Sequence, residues 1–338
     1  MIRIAVDAMG GDYAPREVVH GAVLAAREYS VAISLVGPPD VVQKELARHD
    51  TQGLDIRIVP ASEVVAMDEK PSRAIVKKKD SSIVVATKQV SEGLADGLVA
   101  AGSTGAAAVA AQIGLGRITN VDRSAICCQM PTTLGKCILI DVGANVDCTP
   151  MQLLQFALMG SIVSTGLFNL KQPRVGLLNI GTEETKGNQL VQDAYKLMKG
   201  HPKLNFIGFC EGRDFPLGKV DVVVTDGFTG NITLKTAEGI ATMVHVMLRQ
   251  ELLRSVRTKI GAMVSKPAFE GVRMRVDHNV FGGALLVGVK GVCVIAHGGS
   301  KHTAIKNAIR VAKDMVSAGI VKSIENMFSL TAAGSSKS

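Results

Sequence analysis

"VGLLNIGTEETKGN", from Val175 to Asn188, decides how the chain is read. An apolar run of strand length empties into a turn that groups Thr182, Glu183, Glu184, Thr185 and Lys186, closes on Gly187 and leads into a helix predicted over Gly187 to Lys199. Strand, polar glycine turn and helix form the repeating unit of an α/β protein. Outward from this stretch, the same rhythm predicts strands at Arg3–Val6, Ala32–Val36, Ile56–Val59, Gly97–Ala100, Cys137–Ile140, Val175–Asn179, Asn205–Phe209, Asp221–Thr225 and Gly291–Ala296. Helices are predicted at Pro15–Tyr29, Pro39–Arg48, Ser81–Glu92, Gly105–Ile113, Pro150–Leu167 and His302–Ala318. The expected fold class is α/β, with three layers, α/β/α, around a mostly parallel sheet.

The 338 residues suffice for one large domain or two lobes around a cleft, and no Pro- or Ser-rich linker divides them. We expect a single unit over residues 1–330 and a frayed tail, "TAAGSSKS", over 331–338. Aromatic residues make up 4% and Trp is absent, so the core must be built from Val, Ile, Leu, Met and Ala, as where helices pack on a parallel sheet. A net charge of +8 favours acidic partners. The basic residues are not interleaved with aromatics, which argues against nucleic acid. The six cysteines contain no C-x-x-C pair and no metal-ligand spacing, so reduced, mostly buried thiols in a cytoplasmic protein are expected, with no metal and no cofactor.

Met1 leads directly into "IRIAV" and Asp7, too short an apolar stretch for a signal peptide. Two longer uncharged windows, Gly97 to Gly116 and Cys148 to Leu170, read as strand, loop and buried helix and as a core helix opened by Thr149 and Pro150. No membrane span is predicted.

One tract breaks the rhythm. Asn231 to Asn279 is helix-forming without a convincing strand and is expected as a basic helical hairpin inserted into the domain. Ile240, Met243, Val244, Met247, Leu248, Leu252, Val256 and Ile260 fall at helical spacing, and core or dimer packing explains most of that stripe. In "KIGAMVSKP", Ile260, Met263 and Val264 stand between Lys259 and Lys266, Arg254 and Arg257 precede them, and Pro267 ends the run. For this tip the expectation is contact with a membrane surface or an acidic partner.

In open α/β sheets, ligands bind beyond the carboxyl ends of the strands. The loops expected there are "DAMGGDYAP" (Asp7–Pro15), "AGSTGA" (Ala101–Ala106), "DVGAN" (Asp141–Asn145), the opening stretch, "TDGFTGN" (Thr225–Asn231) and "HGGSKHTA" (His297–Ala304). Each pairs glycine with Ser, Thr or Asn before a helix, so backbone N–H groups, hydroxyls and a helix start can converge on an anion. Singly, each is better explained as an N-cap after a tight turn, for which Ser103, Thr229 and Ser300 are suited. Their succession points to a shared site. There is no G-x-x-x-x-G-K-[ST] and no G-x-G-x-x-G after the first strand, which argues against ATP hydrolysis and Rossmann-type NAD binding. No G-x-S-x-G elbow or framed cysteine is present, so a reaction made by positioning two bound substrates is favoured over a covalent acyl-enzyme.

The ordered set "DAMGGD", "AGSTGA", "DVGAN", "NIGTEETKGN", "GFTGN" and "AHGGS", from Asp7 to Ser300, resembles the PlsX-type phosphate acyltransferases of bacterial phospholipid synthesis. The resemblance implies transfer of a fatty acyl group from acyl-acyl carrier protein to inorganic phosphate, giving an acyl phosphate for a membrane glycerol-3-phosphate acyltransferase. It also implies a homodimer and a fold like that of isocitrate and isopropylmalate dehydrogenases and phosphate acetyltransferase. Tyr13 departs from the pattern, standing where several relatives carry His or Asn.

This chemistry needs a phosphate dianion held beside a thioester carbonyl, with donors for both. Lys186 is assigned the cation, with Thr182, Ser103, Thr104, Asn231 and glycine amides as donors. Among those glycines are Gly10, Gly11, Gly105, Gly187, Gly227 and Gly230. Asn145, Glu183, Asn188, Thr229 and Ser300 complete the expected binding loops. His297 is assigned to polarise the carbonyl or protonate the leaving thiolate, and Asp7 and Asp12 to orient donors. Each has a plainer alternative: Lys186 pairing with Glu183 or Glu184, His297 capping a helix, Asp7 bonding its own turn. Two rival functions stand beside the acyltransferase, a β-decarboxylating oxidoreductase and a non-enzymatic basic scaffold at the membrane.

Overall fold

The computed structural model describes residues 1–276 and 282–334. A sheet of eleven strands runs through it: β1 (Arg3–Asp7), β2 (Ala32–Gly37), β3 (Ile56–Pro60), β4 (Gly97–Ala100), β5 (Ala125–Thr132), β6 (Gly135–Ile140), β7 (Arg174–Leu178), β8 (Asn205–Cys210), β9 (Val222–Val224), β10 (Ala284–Val287) and β11 (Val292–Ile295). The described helices are α1 (Arg16–Tyr29), α2 (Pro39–Leu46), α3 (Pro71–Lys77), α4 (Ser82–Ser91), α5 (Thr104–Gly114), α6 (Pro150–Phe168), α7 (Gln189–Met198), α8 (Gly227–Leu253), α9 (Val256–Val264), α10 (Lys266–Val276), α11 (His302–Ser317) and α12 (Ile320–Gly334). Residues 331–334 of the expected tail belong to α12, and 335–338 lie outside the described residues.

The strands are Val-, Ile- and Leu-rich because both faces of the sheet are covered. One apolar core gathers side chains of α1, α2, α6, α7, α11 and α12, and a second gathers those of α3, α4, α5 and the start of α8. This is the expected three-layer arrangement. α6 is opened by a reciprocal capping box between Thr149 and Gln152 and is, among the described helices, the one long and apolar enough to cross a membrane. With Leu153, Phe156, Ala157, Met159 and Val163 almost fully buried, it is a core helix of this sheet. No disulfide links the cysteines; five of the six are buried and Cys148 is half-buried.

The strand order is β3-β2-β1-β4-β11-β10-β5-β6-β9-β7-β8. β1, β2, β3, β4 and β11 are mutually parallel, as are β6, β9, β7 and β8. Between the two sets, the pairs β11–β10, β10–β5 and β5–β6 are antiparallel. Three reversals leave the second parallel half running opposite to the first, so the carboxyl ends of the two halves lie at opposite edges of the sheet. The strands at Ala125–Thr132 and Ala284–Val287 are additional to those expected, and they are the ones that produce the reversal.

α8 is 27 residues long, about 40 Å at helical rise. Only Gly227 and Gly230 of it are buried, while Ile240, Met243, Val244 and Met247 are each more than half exposed. Core packing therefore does not account for the apolar stripe. Ile260, Met263 and Val264 of α9 are likewise exposed. The expected hairpin consists of three successive helices, with Pro267 in the first turn of α10 rather than closing the run, and its last residues, 277–279, lie outside the described residues.

Candidate active site

At the carboxyl ends of the first half, three loops interlock around Asp7. The carboxylate of this buried side chain accepts from the Met9 N–H at 3.1 Å and is bonded by Gly10 N–H and by the Ser82 side chain. Burial pushes its carboxyl above the ordinary aspartate range, and those hydrogen bonds pull the other way. A Cβ on Gly10 would stand 2.8 Å from both the Asp7 carboxylate and the Gly102 nitrogen. At Gly11, φ 103°, a Cβ would stand 2.9 Å from the Ala101 carbonyl oxygen and 3.0 Å from that of Gly298, and the Asp12 N–H donates to Gly298 O at 2.9 Å. Glycine is required at both positions because backbone, not side chain, fills the space.

Ser103 caps α5, its hydroxyl accepting from Ala106 N–H at 3.4 Å, and Thr104 and Gly105 form the exposed first turn. A cavity of about 10 Å³ lies among Asp7, Gly10, Ser82, Gly102 and Ser103, enough for roughly one water. His297 is exposed, and its Nδ1 accepts from Gly299 N–H at 3.2 Å while its carbonyl accepts from Ser300 N–H at 2.9 Å. It thus closes a turn and does not cap α11, whose N-cap is Lys301; buried Ser300 is not that cap either.

The second cluster lies at the opposite edge, beyond β6 and β9, and is organised by Asp141, a residue not singled out from the sequence. Its Oδ1 accepts from Ile126, Gly143 and Ala144 N–H at 3.0, 3.2 and 3.1 Å, and its Oδ2 from Asn145 N–H and Nδ2 at 2.7 and 2.9 Å. Burial raises its carboxyl above the ordinary range, against the pull of these donors. Asn145 in turn accepts from Gly227 N–H through its carbonyl at 2.7 Å, docking the start of α8. Gly227 and Gly230 admit this approach, since a Cβ at either would collide with Asn145 or Asp141. The cap of α8 is Asp226, which accepts from both the Thr229 N–H and hydroxyl at 2.8 Å, so Thr229 is held by the cap rather than serving as it. Asn231, exposed at the start of the second turn of α8, stands against Gly143.

The loop after β7 lies at this same edge. Asn188 caps α7 through Val191 N–H at 3.0 Å, and Asn179 Nδ2 donates to Lys186 O at 3.2 Å across the turn closed by Gly187 at φ 94°. Glu184 is taken by Lys199 and the Tyr195 hydroxyl, both at 2.7 Å. Lys186 is exposed and has no ion pair among the described residues, neither with Glu184 nor with Glu183. Thr182 borders a cavity of about 350 Å³ with Ile207, Phe209 and Arg213.

The structure therefore brings together Asp7, Gly10, Gly11, Asp12, Ser103, Thr104, Gly105, His297 and Ser300 at one edge. Asn145, Thr182, Glu183, Lys186, Gly187, Asn188, Gly227, Thr229, Gly230 and Asn231 lie at the other. The expectation of one pocket within one chain is corrected by the antiparallel strands in the middle of the sheet. Asp141 was findable, because it repeats the position of Asp7: an aspartate at a strand end, opening a glycine loop. Among the described residues, no group of three or more His, Cys, Asp or Glu is placed to hold a metal ion.

The fold is that of the phosphotransacetylases: a phosphotransacetylase from Streptococcus pyogenes superposes with a TM-score of 0.65 at 17% identity, over 93% of this chain and 94% of that one. The model of the family described as "Fatty acid synthesis protein" matches residues 2–323. A phosphate acyltransferase of Heliobacterium modesticaldum is 50% identical over 327 residues, covering 96% of this chain and 97% of that protein. One of Desulforamulus reducens is 51% identical over 325 residues, with the same coverage. The chain belongs to the fatty acid synthesis protein family. It is an acyltransferase, which removes both the oxidoreductase and the non-enzymatic scaffold.

Proposed function

We propose that the protein moves a fatty acyl group from acyl-acyl carrier protein to inorganic phosphate, yielding an acyl phosphate that a membrane glycerol-3-phosphate acyltransferase consumes in phospholipid synthesis. A phosphate oxygen attacks the thioester carbonyl, the C–S bond breaks, and the proton of the phosphate ends on the departing thiolate. No covalent enzyme intermediate forms. The observation that carries this reading is Lys186: in a loop with two glutamates its ammonium has no ion pair among the described residues, and Glu184 is held instead by Lys199 and Tyr195. A solvent-facing, uncompensated cation beside a strand-end loop is poised for an oxyanion. Asn231 supplies a donor for the carbonyl oxygen, and Asp141 fixes the loop it stands against.

The opposite placement of the two clusters supports a homodimer in which the Asp7–Ser103–His297 edge of one copy completes the Lys186–Asn231 edge of the other. The exposed apolar side chains of α8 give a second copy a surface to cover. Exposed Ile260, Met263 and Val264, with Arg257 and Lys259, support peripheral contact of the α9 tip with a membrane from the cytoplasmic side. The test mixes purified protein, acyl-acyl carrier protein and phosphate and traps acyl phosphate with hydroxylamine. Formation of hydroxamate only from acyl-CoA would replace this reading with a phosphotransacetylase-like one.

A further inference from the structure

A surface that the sequence did not mark borders the Asp7 cluster. α3 and the turn before it cover that edge: a Cβ on Gly105 would stand 2.9 Å from Pro71, and one on Gly298 would stand 2.7 Å from the Met67 methyl. The segment is firmly held. Ala74 and Ile75 are buried, Lys78 Nζ donates to Glu69 at 2.5 Å and to the Val64 carbonyl at 2.8 Å, and Ser82 N–H bonds Glu63 O at 3.0 Å. Lys70, Arg73 and Lys77 recur at helical spacing, are exposed, and carry no ion pair among the described residues. Beside these residues, Met67 and Val76 are 49% and 63% exposed, which adds apolar contact to the charge.

We propose that this face, Met67, Lys70, Arg73, Val76 and Lys77, docks the acidic carrier protein that brings the acyl thioester, so that the thioester enters over the glycine cluster. The proposal rests on the functional reading above and names the entry side for its larger substrate. The basic tract on α8–α10 is the rival surface, and it is partly neutralised within the chain. Arg254 pairs with Glu251 at 3.3 Å, Lys235 with Glu238 at 2.9 Å and Lys266 with Glu270 at 3.8 Å. Unpaired cations on a rigid platform steer an acidic partner more effectively than cations already compensated.

The experiment compares the full-length protein with its Lys70→Glu/Arg73→Glu/Lys77→Glu variant. It measures acyl-acyl carrier protein binding by fluorescence anisotropy and acyl phosphate formation at saturating carrier. The expected result is at least roughly tenfold weaker binding at low salt, with turnover at saturation retained. A milder Lys70→Gln/Arg73→Gln/Lys77→Gln variant guards against misfolding, and its affinity should depend less on salt than that of the wild type. Unchanged affinity in both variants overturns the proposal. So does loss of binding on reversal of Arg254, Arg257 and Lys259 instead, or loss of anionic-vesicle binding in place of carrier binding. If the wild type forms no acyl phosphate, the functional reading fails rather than the docking face.

Discussion

The side-chain amide of Asn231 fills the space above Gly143, with Nδ2 2.8 Å from the point where a Cβ would sit, and Gly143 itself is at φ 135°. Gly143→Ala must push Asn231 off its station and strain its own backbone. Since a displacement of about 1 Å at a reacting centre costs on the order of 100-fold, kcat should fall by about that factor. Steady-state kinetics with carrier substrate checks this, and an unaltered kcat removes Asn231 from the reaction.

Lys186→Ala deletes the unpaired cation without touching a packed side chain. The expected loss is roughly 100- to 1000-fold in kcat/KM for phosphate, the scale of one lost charge-stabilising donor. Thermal unfolding should be unchanged. Full activity in this variant would take the lysine out of the mechanism.

Two inactive variants should rescue each other. In the proposed dimer, Lys186→Ala damages one edge of each chain and Ser103→Ala with His297→Ala the other, so a mixed dimer would keep one intact pairing of edges. Random reassociation of equal amounts should restore about a quarter of wild-type activity per chain. No recovery in separately tagged, co-purified mixed dimers would mean that each chain works with its own two clusters.

α8 offers a direct handle on association. Met243→Glu with Met247→Glu places two charges where more than half of each methionine surface is now exposed. Light scattering should report monomers and activity should be lost. A stable dimer would show that α8 is not the contact.

Acid should loosen the joint between α1 and α11. Glu17 accepts from His302 N–H at 2.9 Å and meets His302 Nδ1 at 2.7 Å, which holds its carboxyl below the ordinary value of 4.5. His20 stacks on His302 and His49 with centroids at 4.3 and 4.9 Å, and burial, with those neighbouring rings, holds it below the ordinary 6.5. Both groups bind protons more readily unfolded than folded, so stability falls with falling pH, first below 6.5 and again below 4.5. Urea titrations at stepped pH should show both steps; Glu17→Gln should diminish the lower and His20→Gln the upper.

The layers were legible because strands buried on both faces read as continuous Val/Ile runs and helix starts are punctuated, as at Thr149–Pro150. β5 and β10 were not. "AICCQMPT" carries Gln129 and Pro131, which demote a strand signal, and "ALLV" is four residues between glycines. A strand's presence can be read from its residues, but its direction depends on which neighbours it finds, so residues alone put every strand-end loop at one edge. The site residues were legible as loops; their division into two groups was not. α3 escaped because "PSRAIVK" offers only seven residues and little apolar face.

If the opposed halves of two copies complete one site, as proposed above, abundance itself becomes a control. With complementary workbenches on opposite ends of one chain, turnover would then belong to the pair, so below the dissociation constant the rate should scale with the square of enzyme concentration. Diluting a cell's supply by growth would then throttle acyl phosphate output more steeply than the loss of protein alone.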